Sequence, residues 1–130
     1  MTNYIDGFVF PIASDRLAEY RSVAEQVAEI YREHGAIEYV EFVGDDMRRE
    51  GTRTFEELVS VTSGESIVFG WVVFDSREHR DLVNERVETD PRMADLVAPL
   101  IDPATQVFDA TRMAYAGFKP LVAARGTQDV

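Results

Sequence analysis

An α+β fold, with a four-stranded antiparallel sheet carrying two main helices on one face, is the class this sequence predicts. Three observations predict it. Short β-branched and aromatic runs alternate with amphipathic stretches in the order β-α-β-(short α)-β-α-(short α)-β. The strand runs are apolar on both of their faces, while only two stretches carry a long helical stripe. A chain of 130 residues with no Cys suits one domain with a real hydrophobic core and no disulfide staple. A single domain over 1–123 is therefore expected, with ARGTQDV (124–130) as a flexible C-terminal tail.

The elements follow in chain order. YIDGFVFP (4–11) is β-branched and aromatic and ends at a Pro, as a first strand does. Ser14 is a candidate cap for the helix that follows. From Asp15 to His34, the residues Leu17, Tyr20, Val23, Val27, Ile30 and Tyr31 recur at spacings of three or four, and Gly35 is the natural stop. AIEYVEFV (36–43) reads as a second strand. After a polar loop, Thr54 and Glu57 stand in capping-box spacing before a short helix. SIVFGWVVF (66–74) is the most apolar run and the best strand; Asp75 with Glu78 repeats the capping-box spacing ahead of a helix over roughly 76–88.

TDPRM (89–93) raises the question of chemistry against architecture. Asp90 is a favoured N-cap and Pro91 loses nothing at a first helical position, so the stretch predicts a helix start, with Met93, Leu96 and Val97 as its stripe. Arg92 is the one residue this reading leaves unused. Residues 99–110 contain two Pro and predict a loop before a last strand over 111–122. The whole order matches the split βαβ, or ferredoxin-like, pattern.

Composition narrows the partners. Thirteen Lys plus Arg against 24 Asp plus Glu leave a net charge of −11, which repels phosphate backbones and anionic lipid, so neither nucleic acid nor a membrane is an expected partner. MTNYIDGFVFPIASD lacks the basic start and long apolar run of a signal peptide, and a cytoplasmic location is expected. No Cys is present for thiolate or zinc–sulfur chemistry, the two His show no ligand spacing, and GDD (44–46) with Glu50 is not an EF-hand, so no metal and no cofactor is expected.

Splitting the strands by their period of two yields a small set (Ile5, Gly7, Val9; Val40; Val68, Gly70, Val72; Ala114, Ala116, Phe118) and a bulky set (Tyr4, Asp6, Phe8, Phe10; Tyr39, Glu41; Phe69, Trp71; Met113, Tyr115). Helices favour the smoother set. The bulky set is then expected to meet a second copy of the chain, burying Phe8, Phe69 and Trp71 in a homodimer interface on the order of 1,500 Å².

YIDGF (4–8), GAIEYVE (35–41), VFGWVVFDSREHRD (68–81), DPRM (90–93) and RMAYAGF (112–118) resemble the landmarks of the YbaA-like family of small uncharacterised bacterial proteins. The likeness runs from Tyr4 to about Phe118, with Ala116 where a glycine is expected. It implies a dimeric α/β-barrel fold and supplies no reaction.

Candidate site residues come from the bulky set. Asp6 and Glu41 are carboxylates in an apolar environment, where raised pKa values would suit proton transfer. With Tyr39, Trp71 and Tyr115 they form the candidate ligand-binding group. Arg77, Arg80, Arg92 and Arg112 are possible anion clamps, more simply partners of neighbouring acids. Three functions compete: a homodimer binding a small molecule on the aromatic sheet face; what the resemblance to the dimeric α/β-barrel superfamily implies, a cofactor-independent or haem-dependent monooxygenase-like enzyme, with Asp6, Trp71 and His79 a partial match at the comparable places; and a protein-interaction or regulatory module.

Overall fold

The two long strands lie at the centre of the sheet. In the computed structural model, which describes residues 3–126, β1 (Tyr4–Ala13) and β3 (Glu65–Phe74) pair antiparallel along their whole length, from Tyr4 opposite Phe74 to Ala13 opposite Glu65. β2 (Glu38–Val43) flanks β3 and β4 (Ala114–Phe118) flanks β1, giving four antiparallel strands in the order β2-β3-β1-β4.

β1 does not stop at Pro11. β4 pairs only with Ile5–Val9, so beyond Val9 the outer side of β1 has no partner strand. The Ser14 amide donates to the Gly64 carbonyl on the β3 side, and strand alternation turns the Pro11 nitrogen to the opposite, unpaired side. The missing N–H therefore costs no ladder bond.

Ser14 is not a side-chain cap. Its hydroxyl bonds that of Ser66 at 2.7 Å, and a single 3₁₀ turn, Ser14–Arg16, leads into α1 (Leu17–Glu33). Gly35 closes that helix at φ +116°, with the His79 ring so near that a Cβ would meet Nε2 at 3.3 Å. α2 (Phe55–Leu58) has the expected capping box, with both reciprocal bonds between Thr54 and Glu57. The cap of α3 (Arg77–Glu88) is Ser76, one residue later than Asp75, and its hydroxyl accepts from the His79 amide.

α4 (Pro91–Ile101) starts as TDPRM predicts and runs on through Pro99, where a loop is expected. Its last turn is held because Leu100 is buried in the core and its carbonyl accepts from both Val107 and Phe108. The described residues thus form three substantial helices rather than two. The last strand is shorter than expected, because Ala110–Arg112 forms a 3₁₀ turn and pairing ends at Phe118.

The face assignment is corrected as well. Asp6, Phe8, Phe10 and Ile12 share the helix side with Val72 and Phe74, where Ile30 of α1, Val83 and Val87 of α3 and Leu100 of α4 close the main core. The helices therefore sit on the bulky set. β3 is in the other register: Phe69 pairs with Val9 and Trp71 with Gly7, which turns both aromatics to the opposite face. There Val9 and Ile67 pack under Val59 of the segment after β2, while Phe42, Phe69 and Phe118 stay exposed. The 127–130 part of the expected tail lies outside the described residues, and 124–126 are exposed. Among the described residues no helix is long and apolar enough to cross a membrane.

Candidate functional site

Between the sheet and its helices lie two carboxylates, and each organises its own network. Asp6, near the start of β1, is fully buried. Its Oδ1 accepts from Arg80 Nη1 at 2.7 Å; its Oδ2 accepts from the Tyr115 hydroxyl at 2.7 Å and from Asn84 Nδ2 at 3.1 Å. Arg80 and Asn84 lie four apart on one face of α3, so one helical turn delivers both donors. The Arg80 guanidinium also lies 5.0 Å from the centre of the Tyr4 ring. Asn84 turns its amide nitrogen toward the carboxylate, which leaves its Oδ1 buried without a hydrogen-bond partner among the described residues. Burial, then the Asp6 bond, pushes the Tyr115 hydroxyl well above the ordinary phenol range, so it stays a donor.

Glu41, on β2, is held differently. The Tyr20 hydroxyl of α1 donates to Oε1 and that of Tyr39 to Oε2, both at 2.6 Å. Burial first, and then the Glu41 charge, raises both phenols well above their usual values. Among the described residues no cation pairs with Glu41. Arg21, which also lines the groove, pairs with Glu25 at 3.6 Å.

A groove of about 580 Å³ opens over Glu41, between α1 and the outer edge of β2. Leu17, Ala24 and Ala28 form its helix wall, and Phe42 and Val43 its strand wall. The width follows from the sequence: α1 presents alanines where a larger residue would close it. A band of rings joins the two carboxylate networks. Tyr115 stacks on Phe8 at 5.8 Å, Phe8 lies 6.3 Å from Tyr39, and Tyr39 lies 5.2 Å from Tyr31. Burial, with the charges of Asp6 and Glu88, pushes Tyr31 up to about 12. Gly70 makes room for the band, since a Cβ there would lie 2.8 Å from the Phe8 ring.

Of the residues expected to form one site, Asp6, Tyr39, Glu41 and Tyr115 do share the helix side. Trp71 does not; it stacks on Phe42 at 5.5 Å on the opposite face, and its Nε1 donates to Glu38 at 3.2 Å. His79 is tied into the start of α3, its Nδ1 accepting from the Asp75 amide at 3.0 Å. Asp6, Trp71 and His79 are thus not gathered around a common space, and this trio does not fit a haem pocket. Tyr20 and Asn84 are the contributors the sequence reading missed: Tyr20 counted only as a position in the apolar stripe, and Asn84 carried no motif.

Of the four candidate arginines, Arg80, Arg92 and Arg112 pair with acids and clamp elements together. Asp90 caps α4 through the Arg92 amide, accepts from the Arg92 side chain and bonds His34 Nε2 at 2.8 Å, while Arg92 reaches Glu33 at 2.9 Å. The Arg92 and His34 bonds hold the Asp90 carboxyl well below its ordinary range. TDPRM therefore starts a helix and locks it to the end of α1. Arg112 forms a two-pronged pair with Glu65 at 2.6 and 2.8 Å and holds that carboxyl at about 2.

Comparison with known proteins agrees with the sequence resemblance. The family described as protein of unknown function (DUF1428) matches residues 3–109. The uncharacterised protein YbaA of Escherichia coli K12 is 32% identical over 119 residues, covering 92% of this chain and 97% of its own; YbaA of Shigella flexneri matches to the same extent. Among solved structures, a NIPSNAP-family protein of unknown function from Agrobacterium tumefaciens C58 aligns with a TM-score of 0.55 at 16% identity, over 92% of this chain and 88% of its own. That likeness is one of fold.

Proposed function

The chain belongs to the DUF1428 family of proteins of unknown function, and on that premise we propose that it is a homodimeric small-molecule-binding protein whose ligand occupies the groove between α1 and β2. The observation that carries this reading is the groove itself: about 580 Å³, walled largely by apolar side chains, with Glu41 and its two phenols inside it and the Arg21–Glu25 pair in its lining. Small-molecule sites have this composition and size.

The strand order β2-β3-β1-β4 supports a ferredoxin-like topology, and the open face supports its pairing into a dimeric barrel. Phe42, Phe69 and Phe118 are 56%, 41% and 54% exposed around Trp71, a patch that a second copy covers. Sheet-to-sheet pairing leaves the helix side of each protomer free, and the ligand groove meets the interface patch only at Phe42, on the edge strand β2. Within this reading Tyr39 and Glu41 meet the ligand, Trp71 serves the interface, and Asp6 with Tyr115 anchors the sheet to α3. The haem-dependent alternative draws no support from the positions of Asp6, Trp71 and His79.

Two measurements test the two halves. Light scattering is expected to give a dimer that Trp71→Asp or Phe69→Asp dissociates and Arg92→Ala leaves intact, because an unpaired charge on a buried interface is costly. A folded monomer at micromolar concentration sinks the dimer. A thermal-shift screen of metabolites is expected to yield compounds that raise the melting temperature of the wild type but not of Ala24→Trp, whose indole fills the groove. If every stabilising compound acts equally on both proteins, the ligand lies elsewhere.

A further inference from the structure

The groove also specifies the chemistry of what enters it, an inference that rests on the ligand reading above. We propose that the ligand is the protonated amine of a small apolar molecule, its ammonium seated on Glu41 between the Tyr20 and Tyr39 hydroxyls. Hydrogen-bond direction and charge both lead there.

Tyr20 and Tyr39 each commit their one proton to Glu41. What the three groups still present is acceptor only: the remaining lone pairs of the carboxylate and those of the two phenol oxygens. A ligand group that brings donors and no acceptor matches this end, and an ammonium has three donors and none to accept. The phenols stay protonated, so the trio's negative charge is that of the Glu41 carboxylate alone.

The charge accounting agrees. Asp6, on the same sheet face, has Arg80 against it; Glu65 has Arg112 and Asp90 has Arg92. Glu41 is a part-buried carboxylate that no cation pairs among the described residues. Carboxylates removed from water are ordinarily paired, and here the position for the partner cation opens onto a groove. The apolar walls, Leu17, Ala24, Phe42 and Val43, suit a hydrocarbon or single-ring body behind the amine.

Three probes of one shape decide the matter: 2-phenylethylamine, 2-phenylethanol and phenylacetate, titrated into the full-length protein at neutral pH and followed by calorimetry. The amine is expected to bind about tenfold or more tightly than the alcohol, and the acid more weakly still, the scale of a charge-assisted bond. Glu41→Gln is expected to remove the preference, bringing the amine down to about the affinity of the alcohol. Glu41→Asp, which keeps the charge, is expected to retain it, and so stands in should the Gln variant fail to fold. If the alcohol or acid binds as well as the amine, and Ala24→Trp abolishes both, the groove is a ligand site but the amine proposal is wrong. If no probe binds in a way Ala24→Trp blocks, the groove reading itself falls, and the proposal with it.

Discussion

Asp6 and Glu41 stand on the same face of one sheet, each bonded by tyrosine hydroxyls, yet the protein treats them in opposite ways. Asp6 is sealed from water with its cation built in, and Arg80, Asn84 and Tyr115 together fasten β1 to α3 and β4. Glu41 receives phenols only and faces a groove. The difference separates a carboxylate that has its counter-charge built in from one that no cation pairs among the described residues. Burial of an acid is therefore a weaker sign of function than the absence of its counter-charge.

The comparison can be broken at its stronger end first. Asp6→Ala leaves Arg80 with Asp81 alone and strands the Asn84 and Tyr115 donors, and is expected to destabilise the fold by about 3–5 kcal/mol in urea denaturation. A loss below about 1 kcal/mol would mean that the network contributes little. Gly70→Ala, which forces a methyl against the Phe8 ring and the Val40 carbonyl, is expected to cost about 1–3 kcal/mol and to disturb both networks, since Phe8 lies between them. Near-ultraviolet circular dichroism should register the displaced ring band; an unchanged spectrum and stability would sink the packing argument.

Glu41→Gln is expected to shift stability by only about 1 kcal/mol, because the phenols at the groove can find water. Should it cost as much as Asp6→Ala, the two carboxylates are alike after all. The smallest effect concerns a third acid. Glu65 titrates at about 2 against an ordinary 4.5 because Arg112 bonds it. Its folded value is depressed, so the pair's contribution is complete above about 4.5 and is lost as pH falls toward about 2. Arg112→Met is expected to move the Glu65 carboxyl back toward 4.5 in a carbon-detected titration; an unmoved midpoint would assign the depression to Thr62 alone.

Much of this was legible in the chain. The helical stripe of α1, the Thr54–Glu57 capping box and the Asp90–Pro91 start each carry a local rule that the folded protein obeys. Asp6 and Glu41 were legible as neighbours on one face because β1 and β2 alternate bulky with small. β3 was not, since SIVFGWVVF is apolar throughout and carries no alternation; only pairing with β1 decides that Trp71 turns away from Phe8. The extent of α4 was hidden because Pro99 signals a break locally, whereas Leu100 is drawn into the core by contacts distant in sequence. Tyr20 was masked by its own fitness for an apolar stripe.

Pro11 shapes how β1 ends its pairing. β4 pairs no further than Val9, so the stretch of β1 beyond it has no partner strand on that side, and yet Phe10, Pro11 and Ile12 are buried. A buried backbone N–H with no strand to accept it would cost free energy, and Pro11 has none to leave stranded. The residue that a reader of the sequence takes for the end of a strand is, in the folded chain, what lets the strand continue under cover without a partner.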